Sequence, residues 1–106
     1  MVRMSVYYPN SDGSRFDHPY YSGPHRRLVQ ERLGPLGLQD VQIERGVAGY
    51  AGAPAPYVAV GHLLFDSLDA LQSAWAAEGA AVVADVPNYT DAQPLIQISE
   101  IVPSES

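Results

Sequence analysis

The run Asp17-His18-Pro19-Tyr20-Tyr21-Ser22-Gly23-Pro24-His25 gathers phenol and imidazole groups at what reads as the start of a helix. At about 100° per residue, Tyr21, His25, Leu28, Val29, Arg32 and Leu33 share one helical face. Arg26, Arg27, Gln30 and Glu31 occupy the other. The His25 imidazole therefore turns inward among apolar and phenolic side chains. Near the N-terminal end of a helix body the backbone dipole disfavours a protonated ring, so His25 is expected to be neutral. A neutral imidazole beside a phenol can act as general base or hydrogen-bond acceptor. The plainer alternative is a histidine satisfied within a core. Tyr20 and Tyr21 stand about 100° apart on a helix, and Tyr21 shares the stripe of His25. His25 and Tyr21 are the candidate catalytic pair, with Tyr20 a candidate substrate contact.

A second polar cluster comprises Asp85, Asn88, Tyr89, Asp91 and Gln93, around Pro87-Asn88. Such composition is ordinary turn chemistry, yet Asn and Tyr beside an apolar run can also line a cavity mouth. Asp85, Asn88 and Tyr89 are therefore candidate ligand contacts. Tyr7 is placed on the helix-facing side of the first strand and Tyr8 on the other, which makes Tyr7 a further candidate. His62 sits mid-strand with Val58, Val60 and Leu64, where a hydrogen-bonded structural histidine is favoured over a ligand contact. Gln97 falls between Ile96 and Ile98; its amide needs partners, either from a ligand or, as favoured here, from a dimer contact. No pair of histidines has helical metal-ligand spacing, so no metal site is expected. A Gly-x-Ser-x-Gly elbow is absent.

The elements that must position these groups follow from pattern. Residues 2–8 alternate, with Val2, Met4, Val6 and Tyr8 opposite Arg3, Ser5 and Tyr7, as in a half-buried strand. A helix is predicted from about Asp17, its N-cap, to Leu33, stopped by Gly34-Pro35, with a kink or short lead-in turn at Gly23-Pro24. Strands are predicted over 41–47, 57–65 and 95–102. Ser67 caps a helix ended at Gly79, with a short helix over 80–86. Strand, helix, strand, strand, helix, strand is the split βαβ order, giving an antiparallel four-stranded sheet with both helices on one face. An apolar open sheet face would then be buried by a second copy, which predicts a homodimer.

The length of 106 residues suits one domain, taken as residues 1–103 with a flexible tail at 104–106. Twelve acidic residues oppose six basic ones, all arginine, so nucleic acid and anionic membranes are poor partners. Without lysine there is no Schiff-base chemistry, and without cysteine no disulfide or thiolate chemistry. No signal or spanning segment stands out, which makes a cytoplasmic location the expectation.

Four segments stand out together: Tyr8-Pro9-Asn10; Phe16-Asp17 through Tyr20-Tyr21 to His25; Tyr57-Val-Ala-Val-Gly-His-Leu-Leu-Phe-Asp-Ser67; and Asp85-Val-Pro-Asn-Tyr-Thr-Asp-Ala-Gln-Pro94. In this order they resemble the EthD family of ethyl tert-butyl ether degradation, within the dimeric α+β barrel superfamily. The likeness spans about residues 2–102, and its Tyr-Tyr-x-x-x-His pattern falls on Tyr20, Tyr21 and His25. The chain departs from the family pattern at Gly23-Pro24, where ordinary helix formers are usual. The resemblance implies a ferredoxin-like βαββαβ subunit in a homodimeric α+β barrel, with a ligand cavity between sheet and helices. It also implies a small-molecule-binding protein. One reading is a cofactor-independent oxidoreductase or monooxygenase, cyclase or isomerase, acting on a small aromatic or ketone metabolite through His25. The other is a non-catalytic homodimeric accessory protein that binds an apolar metabolite in a catabolic or biosynthetic pathway. No cofactor is expected in either.

Overall fold

A computed structural model describes residues 1–104; the last two positions of the expected tail, Glu105 and Ser106, lie outside the described residues. Strand β1 (Val2–Pro9) leads through a polar loop to a helical rod built of α1 (His18–Tyr20), a π-helical turn (Tyr21–His25) and α2 (Arg26–Leu33). Then come β2 (Asp40–Arg45), β3 (Tyr57–Phe65), α3 (Leu68–Ala84) and β4 (Leu95–Glu100). The four strands form one sheet in the order β2-β3-β1-β4, with every pairing antiparallel. This is the ferredoxin-like α+β fold expected from the element order.

Local chemistry explains the helix boundaries. The Asp17 side chain accepts from the Tyr20 amide at 3.1 Å, and Pro19 occupies the first turn, where its missing N–H costs nothing. Pro24 cannot donate to the helical ladder and its ring crowds the preceding turn. The backbone responds by widening, so that the Arg26 amide reaches back to the Tyr21 carbonyl. The kink expected at Gly23-Pro24 is thus a π turn. The rod stops through a tight turn at Gly34–Leu36, and Gly37 takes the left-handed conformation at φ 108°.

Three boundaries differ from expectation. The second helix does not end at Gly79 but runs unbroken to Ala84. Gly79 is needed there for space, since a Cβ would stand 2.6 Å from Trp75 Cε2 on the preceding turn. Strand β2 spans Asp40–Arg45 and not 41–47; just past its end the Gly46 amide still donates to the Val58 carbonyl at 2.9 Å. Strand β4 stops at Glu100, where its ladder with β1 runs out at Val2.

The core lies between the sheet and the helices. Met4, Leu33, Leu63, Phe65 and Leu71 form its main cluster, and Tyr8, Tyr21, Ala59 and Tyr89 a second, aromatic one. Burying one such side chain contributes roughly 1.5–3 kcal/mol. Tyr8, not Tyr7, belongs to this side: alternation puts it in phase with Met4, beneath the helices. Tyr7 lies on the opposite face, packed on Tyr57 with ring centroids 5.1 Å apart. That open face is more polar than its β3 stripe suggested. The registers set Arg3, Ser5, Gln42, His62, Gln97 and Ser99 there beside Val60, Leu64 and Leu95.

Candidate active site

A cavity of about 270 Å³ lies at the junction of the two core clusters. Val6 and Tyr8 of β1, Gly61 and Leu63 of β3, Ile43 of β2 and Ile96 of β4 form its sheet side. Tyr21, His25 and Val29 of the rod, Trp75 and Val82 of α3, and Tyr89 of the following loop form the rest. The walls are largely apolar; imidazole and phenols meet at one end, and Arg26 and Gln93 are the other polar side chains of the lining.

At that end His25 is held from behind. Its Nδ1 donates to Asp85 Oδ2 at 2.9 Å, while the Tyr20 hydroxyl and the Asn88 amide each donate to Asp85 Oδ1 at 2.8 Å. Those three hydrogen bonds fix the carboxylate. The Asp85 bond assigns the Nδ1–H tautomer and leaves the Nε2 lone pair directed toward Tyr89, whose hydroxyl lies 3.5 Å away. Tyr89 in turn shares a 2.5 Å hydrogen bond with the Tyr8 hydroxyl. The order Asp85, His25, Tyr89, Tyr8 is a continuous polar chain beside a largely apolar cavity wall.

The electrostatics match the geometry. Burial pushes the His25 pKa below its ordinary value, outweighing the opposing hydrogen bond and charge of Asp85. The ring is therefore neutral near pH 7. For Asp85, burial acts to raise the pKa, but the hydrogen bonds from Asn88, His25 and Tyr20 together prevail and lower it. Burial first, then neighbouring groups, pushes the hydroxyls of Tyr21 and Tyr89 far above the usual phenol range. Burial also raises Tyr8, against hydrogen bonds from Tyr89 and Tyr21. These phenols remain protonated donors.

Tyr21 lines the cavity beside His25, as its stripe suggested. Its ring stacks on the His25 imidazole at 5.5 Å with 19° between planes. Its hydroxyl sits over Gly61, where any Cβ would collide with it. Tyr21 is thus a shelf for the imidazole, and Tyr89 is the phenol that faces Nε2.

The other sequence-derived candidates divide cleanly. Tyr20, Asp85 and Asn88 stand behind His25 as its support and do not line the cavity; Asn88 is exposed. His62, Tyr7 and Gln97 lie on the far face of the sheet, because strand alternation sends their side chains away from the helices. There His62 Nδ1 bonds Ser5 Oγ at 2.8 Å and its Nε2 lies 3.3 Å from Glu44 Oε2, while Gln97 donates to Ser99 Oγ at 3.0 Å. These three are therefore not ligand contacts of this cavity. Sequence reasoning missed Tyr8, Gly61, Trp75 and Gln93 as lining residues. The signal for Tyr8 was present in its phase with Val2, Met4 and Val6. Nothing local marks Trp75 or Gly61. Among the described residues no group of three or more His, Cys, Asp or Glu is placed to hold a metal ion, and no helix is long and apolar enough to cross a membrane.

Comparison with known proteins accords with this architecture. Residues 14–93 match the model of the EthD domain. The crystal structure of an EthD-like protein from Ralstonia eutropha JMP134 is 40% identical, with a TM-score of 0.89 over 99% of this chain and 95% of that one. An EthD family protein from Bacillus halodurans C-125 is 22% identical, with a TM-score of 0.72 over 96% and 99%. A dimeric ferredoxin-like protein of unknown function from Thermobifida fusca YX shares the fold at 12% identity, with a TM-score of 0.59 over 94% and 90%. Comparison with curated proteins gives no match.

Proposed function

The chain belongs to the EthD family, and from that premise we propose that it is a cofactor-independent enzyme that binds a small aromatic or ketone-bearing molecule and removes a proton from it with His25. The observation that carries this reading is the hydrogen bond from His25 Nδ1 to a triply held Asp85, which leaves a neutral Nε2 facing the cavity. A proton leaves an acidic C–H or O–H of the substrate for Nε2. The resulting imidazolium is stabilised by the Asp85 carboxylate, and the charge left on the substrate oxygen accepts from the Tyr89 hydroxyl. Tyr8 can donate to Tyr89 in the same step, spreading that charge along the 2.5 Å bond. The enolate or phenolate so formed is the common starting point of oxidation by O₂, cyclisation and isomerisation. General base help contributes about 10²–10⁴ in rate, and a preorganised donor about 10²–10³.

A homodimer accompanies this reading. A similarly folded protein is described as dimeric. On this chain the helix side of β4 leaves Ile96 53% and Ile98 42% exposed, apolar surface that a second copy would cover.

The test uses 2-tetralone, a ketone with an acidic C1–H, in D₂O. Deuterium should enter C1 at least about 100-fold faster with wild-type protein than with His25→Ala. Equal rates in the two proteins, with the ketone bound, would instead favour a non-catalytic carrier.

A further inference from the structure

The chain carries twelve acidic residues against six basic ones, yet no carboxylate side chain lines the cavity. The one permanently charged group of the lining is the guanidinium of Arg26. Helical phase explains its place. Arg26 stands three residues before Val29 and seven before Leu33, both buried, so it borders the inward stripe instead of lying on the outer face with Arg27. Its Nη2 donates to the Val41 carbonyl at 2.9 Å. The Val41 amide donates to Asp40 Oδ1, and both groups of a residue in an antiparallel strand point the same way. That carbonyl therefore belongs to the free edge of β2, the outermost strand on its side of the sheet. Val41 pairs with Leu63, and Leu63 with Met4, four residues from Tyr8 along β1. The fork is thus anchored apart from the Tyr8–Tyr89 phenols and does not compete with them for one substrate oxygen.

No side chain neutralises this charge. Among the described residues the ion pairs are Asp85 with His25, Glu78 with Arg32 and Glu44 with His62, and Nε and Nη1 of Arg26 have no hydrogen-bond partner. These nitrogens are not sealed into the packing: the buried side-chain atom left without a partner among the described residues is Arg3 Nε. A guanidinium half-buried against apolar walls is normally matched by an anion, because an unpaired buried charge is costly. The space beside Arg26 is the cavity itself. The contact at Nη2 holds the planar fork in place and leaves its other N–H groups for a carboxylate, whose geometry a guanidinium matches. Asp85 does not oppose such a ligand from the lining, since it stands behind His25 with its oxygens taken by three hydrogen bonds.

We propose that Arg26 anchors a carboxylate of the ligand, so that the compound this cavity selects is an aromatic or ketone-bearing acid. The anchor rests on the cavity being a ligand site, and not on His25 being its base. The carboxylate stays ionised and takes no part in the proton transfer.

Calorimetry on the whole protein at pH 7 compares 4-hydroxybenzoate and 6-hydroxy-2-naphthoate with their uncharged primary amides. At least one acid should bind about tenfold or more tightly than its amide, as expected for a charge-assisted hydrogen bond. Arg26→Gln keeps an N–H donor for the Val41 carbonyl but no charge, and should bring acid and amide within about threefold of each other. Arg26→Lys, which keeps a cation on a flexible stem, should retain part of the preference. Arg26→Met gives the same reading as Arg26→Gln should the latter fail to fold. A wild-type protein that favours neither acid, or a preference that persists in folded Arg26→Gln or Arg26→Met, overturns the anchor. An Arg26-dependent preference without His25-dependent deuterium uptake into 2-tetralone refutes the base and leaves the anchor standing. The reverse pair of results refutes the anchor alone.

Discussion

Replacing Asp85 by Asn tests the hydrogen-bonded chain at the point where its logic is most exposed. The side chain keeps its shape, so Tyr20 and Asn88 still present donors to the position of Oδ1, 2.8 Å away in each case. The amide oxygen must take that position, because an NH₂ group there would face two donors. The amide NH₂ is then left facing His25 Nδ1, which has to become the acceptor. The imidazole proton moves to Nε2, and the lone pair that served as base disappears from the cavity. The His25 and Asp85 side chains are only 6% and 13% exposed, so water cannot readily restore the lost partner. A hydrogen bond to a charged group is worth roughly 1.5–3 kcal/mol. At 1.36 kcal/mol per decade, losing it from the imidazolium-like transition state alone slows proton transfer about 10–150-fold. The tautomer change adds to this, and the analogous Asp-to-Asn change in serine protease triads, about 10⁴, marks the upper limit. Deuterium uptake at C1 of 2-tetralone should therefore fall by about 10²–10³ in Asp85→Asn. The His25 ring nitrogens, followed by long-range ¹H–¹⁵N correlation, should show the proton on Nε2. A variant that retains the Nδ1–H tautomer and exchanges within about threefold of wild type would refute the assignment of Asp85 as the residue that sets the base.

The two phenols nearest His25 should separate sharply: Tyr89→Phe removes the hydroxyl facing Nε2 and is expected to slow exchange about 10²-fold or more. Tyr21→Phe removes a hydroxyl that lies over Gly61 and bonds Tyr8, one step further from Nε2 than Tyr89, and should act mainly on thermal stability, by about 1 kcal/mol; equal rate losses in the two variants would contradict the roles given them. The pH dependence has a definite sign. Because burial lowers the folded-state pKa of His25, the exchange rate should rise with pH through that pKa, reach its plateau at a lower pH than a free imidazole would, and hold it past pH 9, since the buried phenols keep their protons. Stability follows the same linkage: the unfolded chain protonates His25 first, so folding free energy is fully present above about pH 6.5 and declines as pH falls toward the lowered folded value. Asp85, lowered as well, adds its loss only below about pH 4. Chemical denaturation from pH 8 to pH 4 should accordingly show an early loss that His25→Gln abolishes; an unchanged profile in that variant would contradict the sign.

Much of the fold was legible because it rests on period and punctuation. The alternation of residues 2–8, the Ser67 cap and the Asp17 cap each state a local preference that the tertiary structure keeps. Glycine was the ambiguous sign. Gly79 reads as a helix stop by local rules, yet its role is to admit the Trp75 ring from the turn before, a long side chain that local rules do not place. The inward aim of His25 was legible from the helical stripe, although Arg32, placed on that stripe, is exposed at the surface. The partners of His25 were legible only as a cluster. Asp85 and Asn88 come from the far end of α3, 60 or more positions along the chain, and no spacing rule says that their hydrogen bonds converge behind this ring. The face of Tyr7 and Tyr8 was misjudged for a smaller reason. Alternation fixes which residues stand together, but not which face the helices choose.

The site is shaped as much by absent side chains as by present ones. Gly61 leaves on β3 the space that the Tyr21 hydroxyl fills, so a bulky ring can lie close against the sheet and carry the imidazole stacked upon it. Gly23-Pro24 denies the rod a regular α-helical turn, and the wider turn that results brings Tyr21 and His25 inward together. Gly79 lets the indole of Trp75, a residue of the cavity lining, lie back on α3. A methyl group at Gly61 or Gly79 would meet a ring within van der Waals distance, and close-packed interiors accommodate such additions only by moving neighbours. The neighbours that would move here are the Tyr21 ring under the base and the Trp75 indole of the cavity lining. Position of the base and shape of the cavity lining are therefore coupled to backbone positions that carry no functional group. Substitutions at these glycines should alter ligand choice before they abolish folding, which distinguishes them from the polar chain of Asp85, His25, Tyr89 and Tyr8, where substitution strikes the chemistry first.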